Sequence, residues 1–197
     1  MDNNSIATVV GLGVQTVSAV LQTYVTFKQS NVEKYFELLL QENKDLKNIG
    51  TDDQLKRLFF KIIDNVANET RDEKIRNWKN LTVKLATQLD SLDFADNLIK
   101  MLDDLTAFDL TVLFAIYSTD FKAKYFKKEL IEYFNKRGTR PEYIRHSLRR
   151  LSSHNLISEE SDSSGFIGSG NGDFMGQEFS YQKNDLGESF ISVISNE

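Results

Sequence analysis

The sequence predicts a mainly helical protein: an N-terminal helical bundle over residues 1–105, then a smaller domain at 106–197 in which short helices precede a β-hairpin. Three observations predict it. Apolar residues recur at helical spacing through most of the chain. Among 197 residues there is one proline, while the good helix formers Leu, Lys and Glu are abundant. A polar run containing Gly165, Gly168, Gly170, Gly172 and Gly176 lies between two strand-like pieces, as a hairpin tip does. Hydrophobic residues make up 40% and charged residues 27%, the proportions of a globular chain with material for a core. With no cysteine, disulfides, thiolate metal sites and a cysteine nucleophile are excluded. That absence fits a reducing, cytoplasmic setting.

Residues Asn3–Phe27 carry no charge, and Asp2 is the only early one, so the basic start of a signal peptide is missing. Thr8, Gly11, Gln15, Ser18, Gln22 and Gln29 form a polar stripe, with Val10, Val14, Val17, Leu21 and Tyr24 on other faces. This pattern predicts an amphipathic helix packed on other helices or on a second subunit. A membrane-associated helix over 3–27 is the competing reading. Gly11 and Gly13 are no phosphate loop, since no strand precedes them and no Gly-Lys-Ser/Thr follows. The apolar pattern runs on through Val32, Tyr35, Phe36, Leu39 and Leu40 to a stop at Asn48-Ile49-Gly50. Thr51, with Gln54 as partner, is expected to cap a helix whose apolar face is Leu55, Leu58, Phe59, Ile62, Ile63 and Val66. A polar break at Asn68–Asp72 leads to a helix marked by Ile75, Trp78, Leu81, Leu85 and Leu89. Another follows, marked by Phe94, Leu98, Met101, Leu102 and Leu105. This half has no histidine, and the pairs Asp52-Asp53 and Asp103-Asp104 stand at helix edges, where carboxylates serve as caps or solvated charges.

In the second domain, Thr106 and Asp109 form a capping pair for a helix burying Phe108, Val112, Leu113, Ile116 and Tyr117. Phe121–Tyr125 reads as a connector. A short helix over Lys127–Lys136 packs Leu130, Ile131 and Phe134, and Gly138 is the natural residue for a left-handed stop. A third helix is expected at Pro141–Ser153, capped by Thr139 with Glu142. Its buried stripe is Ile144, Leu148 and Leu151, and Arg145 and Arg149, four apart, share a face. Leu156-Ile157 and Phe179-Ser180-Tyr181 read as the paired strands. Asn184-Asp185 opens a final helix through Leu186 and Phe190 to Ile194.

The order helix, helix, Gly-containing turn, basic helix and hairpin resembles a winged helix-turn-helix domain. The closing Leu186-Gly-Glu-Ser-Phe190-Ile191 resembles the end of many bacterial winged-helix regulators. The resemblance covers residues 106–197. It implies that helix 141–153 enters the major groove of duplex DNA, with Arg145, His146 and Arg149 facing base edges or phosphates, joined by Glu142 and Ser152. It further implies positioning contacts on phosphates by Lys127, Lys128, Arg137 and Arg140, with Arg150 in the same basic set. A homodimer assembled by the N-terminal helices would match two half-sites.

Net charge is −5, which alone argues against a nucleic-acid binder, but the charge is segregated. From Asp120 to Asn155 ten Lys or Arg face four acids, a surplus of six, so the rest of the chain carries −11. The hairpin departs from the DNA-binding pattern. It carries Glu159, Glu160, Asp162, Asp173 and Glu178, and no Lys or Arg before Lys183. This leaves an alternative: a non-enzymatic interaction module, such as a mobile-element or defence-related factor, whose winged helix or N-terminal helices bind protein. Phe166, Ile167, Phe174 and Met175 would then be a partner-binding tip or pack on the domain's own core. His146 and His154 are the only histidines and, without Cys or a regular acidic partner, make a poor metal site. No acid, base, nucleophile or cofactor motif stands out, so neither an enzyme nor a cofactor is expected.

Overall fold

The chain is mainly helical with one small antiparallel sheet in the computed structural model, which describes residues 22, 25–41, 49, 52–87, 92–118, 124–162 and 178–195. Most of the uncharged stretch 3–27, the residue Thr51, and the hairpin tip with Phe166, Ile167, Phe174 and Met175 lie outside the described residues. The chain divides into two units, Met1–Ala95 and Asp96–Glu197. The division falls inside a helix, ahead of the break read after Leu105.

In the first unit, α1 (residues 25–41), α2 (Asp53–Asn68) and α3 (Asp72–Thr87) share a core of Tyr35, Leu39, Leu58, Ile62, Val66, Ile75, Trp78 and Leu81. The start of α2 differs from expectation. Asp52, not Thr51, is the cap, and its carboxylate accepts the amides of Gln54 at 2.8 Å and Leu55 at 3.0 Å. A carboxylate there also meets the positive end of the helix dipole, an advantage a hydroxyl lacks. Inside the core the Thr82 hydroxyl donates to Trp78 O at 3.0 Å, so Tyr35 must donate to Thr82 Oγ1 at 2.5 Å. Burial pushes the Tyr35 hydroxyl's pKa well above its ordinary value, so the group stays a donor.

Helix α4 (Leu92–Asp104) leads into the second unit. There α5 (Ala107–Tyr117) is followed by β1 (Lys124–Phe126), α6 (Lys127–Asn135), α7 (Pro141–Ser153), β2 (Ser158–Asp162), β3 (Glu178–Gln182) and α8 (Asp185–Ile194). The sheet order is β1-β3-β2, antiparallel throughout. Leu110, Val112, Leu113, Ile116, Leu130, Phe134, Ile144, Leu148, Leu151, Tyr181, Phe190 and Ile194 fill the core. The capping box of α5 is present: Thr106 Oγ1 accepts the Asp109 amide at 3.1 Å, and Asp109 Oδ2 accepts the Thr106 amide at 2.7 Å.

Three expectations are corrected here. The connector before α6 contains a strand, β1, that periodicity missed because three residues are too few to show alternation. Leu156 and Ile157 are a buried bend, and the first hairpin strand is the acidic Ser158–Asp162 behind them. The box expected from Thr139 and Glu142 does not form: α7 starts after Arg140, without a side-chain cap, and Pro141 supplies the fixed φ of a first helical residue. Thr139 instead ends α6. Its amide reaches Phe134 O at 3.1 Å while Gly138, at φ +82°, sends its own to Asn135 O at 2.9 Å. Those two bonds are a Schellman stop, and glycine is the residue that accepts its left-handed φ without strain.

A second close approach locks the far end of the sheet. The Tyr117 hydroxyl accepts the Asn184 amide at 2.8 Å and lies 2.8 Å from Leu156 O. Gly187 fits against it because a Cβ there would run into both the Tyr117 hydroxyl and the Leu156 carbonyl. Among the described residues no helix is long and apolar enough to cross a membrane.

Candidate nucleic-acid interface

Helix α7 has two chemically opposite sides. Ile144, Ser147, Leu148 and Leu151 are buried, which fixes the rotation of the helix about its axis. Its exposed side then presents Glu142, Arg145, His146, Arg149 and Ser153. Arg145 and Arg149 stand one turn apart on that side. Arg145 has a loose partner, Glu142 Oε1 at 3.7 Å, with both side chains largely solvated. Among the described residues Arg149 makes no hydrogen bond or ion pair, so its fork of donors is available to a ligand.

The remaining cations expected to bind DNA are placed unevenly. Lys128 and Arg140 are exposed, the first in the opening turn of α6 and the second at the mouth of α7. Lys127 is partly covered, its ammonium 5.1 Å from the Phe179 ring centre on β3. Arg137 folds back in the turn before α7: its guanidinium lies 3.6 Å over the Tyr133 ring, and Nη1 donates to Tyr133 O at 3.1 Å. Arg150 has a different role. Its Nη1 donates to Asp109 Oδ2 at 2.7 Å, tying α7 to α5 through a carboxylate that is almost fully buried. Arg149 and Arg150 lie on opposite sides of the apolar stripe, about equally far from it, so helical phase does not tell them apart. The partner that does, Asp109, is 41 residues away.

Two further features bear on the site. Tyr143 is 58% exposed in the first turn of α7, a large aromatic ring left in water at the edge of the arginine side. The acidic strand β2 lies beside β3, whose Tyr181 hydroxyl donates to Glu159 Oε1 at 3.2 Å. Burial raises the Tyr181 pKa strongly, Glu159 adds to the rise, and Arg149 opposes it. His154, just past the end of α7, has Nε2 3.8 Å from Asp104 Oδ2.

No family model, curated protein or solved structure matches this chain.

Proposed function

We propose that this protein is a non-enzymatic, DNA-binding regulator-like protein in which residues 106–197 form a winged helix-turn-helix and α7 reads duplex DNA. The observation that carries the reading is the division of α7: one side is wholly buried, and the other offers two solvated arginines one turn apart, Arg149 with no partner of its own among the described residues. Guanidinium forks at that spacing suit guanine edges in a major groove or successive phosphates along its wall. The order α5-β1-α6-α7-β2-β3 and the sheet order β1-β3-β2 support it. Lys128 and Arg140 supply positioning charges, and the first unit serves homodimer formation or a protein partner.

Arg145→Ala combined with Arg149→Ala is expected to weaken retention of a duplex in a gel-shift assay by about a hundredfold, with the thermal unfolding midpoint unchanged. Retention equal to wild type sinks the reading. The acidic strand Ser158–Asp162 favours a second reading, a winged helix that binds protein. A purified chain free of nucleic acid, whose partner binding ignores salt, selects that one.

A further inference from the structure

The first unit leaves apolar surface in water. Of the six large apolar side chains exposed among the described residues, five stand on α1 and α2, with Leu40 at 81% and Phe60 at 57%. On α1, Val25, Val32, Phe36 and Leu40 recur at spacings of seven, four and four, so they line one side of the helix. A different side, with Tyr35 and Leu39, faces the unit's own core. Phe36 meets Phe59 of α2 edge-on with ring centres 6.1 Å apart, and Asn31 donates to Glu69 O, just past the end of α2, at 2.6 Å. These two contacts set α1 antiparallel to α2. Phe60 follows Phe59, so it is at the height of Phe36. Charge borders this surface unequally. The charged residues exposed on α1 are Glu33 and Glu37, about one turn apart and on either side of Phe36 along the helix. On α2, Arg57 and Lys61 bracket Phe60 in the same way, with Asp53 and Asp64 a turn farther out at either end. By helical phase each border lies on the side of its helix turned away from the other helix. The face therefore runs from an acidic border on α1, across apolar side chains, to a basic border on α2.

We infer that this face of α1 and α2 binds a second copy of the chain, as a twofold dimer in which the acidic border of each copy lies on the basic border of the other. The inference rests on the homodimer part of the reading above and on nothing at α7. What selects a second copy is that the surface complements itself. A twofold axis lying in the interface, along the helices, keeps each residue at its height and exchanges the two borders. Glu33 and Glu37 then come over Arg57 and Lys61 of the second copy, and symmetry repeats the match. Val32, Phe36, Leu40 and Phe60 of both copies leave water between the borders. Opposite charges at the rim set the register and orientation that apolar contact alone leaves open. A partner of another kind needs the same acidic, apolar and basic order in reverse, whereas a second copy supplies it by rotation.

Sedimentation equilibrium of the full chain, free of nucleic acid and at up to about 100 µM, tests this. The wild-type chain is expected to be a dimer. Leu40→Lys changes a side chain that the single chain leaves in water, and is expected to weaken the dimer about a hundredfold, since symmetry counts the change twice. Reversing the acidic border with Glu33→Arg and Glu37→Arg, or the basic border with Arg57→Glu and Lys61→Glu, should each weaken it at least about tenfold. Mixing the two reversed chains should restore wild-type affinity, because every border pair is again opposite in sign and the repair passes only between copies. If a doubly reversed chain does not fold, Glu37→Arg mixed with Arg57→Glu carries the same expectation. A monomeric wild type, which would leave the face to another protein, overturns the inference. So does a dimer untouched by Leu40→Lys, or a mixture no tighter than its separate components. The gel shift of Arg145→Ala/Arg149→Ala is read independently. Lost duplex retention there beside a monomeric wild type keeps the DNA reading and rejects the dimer face, and unaltered retention beside a dimer that behaves as expected does the reverse.

Discussion

Neighbouring arginines on α7 do opposite work, and a rotation of one residue along the helix decides which. Arg149 points to solvent with its donors unspent, while Arg150 bonds Asp109 at 2.7 Å. Asp109 also closes the cap on Thr106, so its carboxylate collects the Thr106 amide, the Thr106 hydroxyl and Arg150 at one buried position. Removing Arg150 leaves that carboxylate short of a donor, whereas removing Arg149 leaves nothing unsatisfied in the fold. Arg150→Ala is expected to destabilise the protein by about 2 kcal/mol, less than for a fully buried pair because Arg150 is 40% exposed. Arg149→Ala should change stability by less than about 0.5 kcal/mol. Urea unfolding of the two variants checks the contrast; equal losses would mean that Arg149 belongs to the fold as well.

At the scale of elements, the arginine side of α7 is aimed by what joins α7 to its neighbours. The turn from α6 depends on Gly138 at φ +82°, with open space where a Cβ would go. Gly138→Ala therefore costs only backbone strain, about 1 kcal/mol, and should leave the fold intact. Gly187 has an ordinary backbone but no room, with the Tyr117 hydroxyl and the Leu156 carbonyl where its Cβ would be. Gly187→Ala must push β3, α8 or Tyr117 aside and is expected to cost about 3 kcal/mol. Thermal unfolding ranks the two, and a Gly138→Ala loss equal to that of Gly187→Ala would contradict the account. The caps were partly legible: Thr106 with Asp109, Gly138 and Asn184 all stood out in the sequence, and each is in place. Thr139 misled because one hydroxyl residue near a proline fits two roles, the end of α6 and the start of α7, and the chain uses it for the first.

For the whole molecule, a net charge of −5 and a basic stretch with a surplus of six are compatible because the cations are kept together. On the proposed reading, affinity for duplex comes from counterions released by a few exposed groups, Lys128, Arg140 and Arg145 among them. Three phosphate contacts imply a salt slope of about −3, so raising salt from about 50 to 200 mM should weaken retention roughly fortyfold. A titration that is flat over that range would favour the protein-binding alternative.

Sequence alone determined the mainly helical character, the amphipathic phase of α7 and the pairing of Arg145 with Arg149 on one side, because helical period and apolar spacing are local properties. Tertiary structure decided the rest. Which arginine is spent on Asp109, where a three-residue strand pairs, and which carboxylate the Tyr181 hydroxyl meets all depend on residues 20 to 60 positions apart. Burial of one shared core brings them together, and no local pattern encodes that.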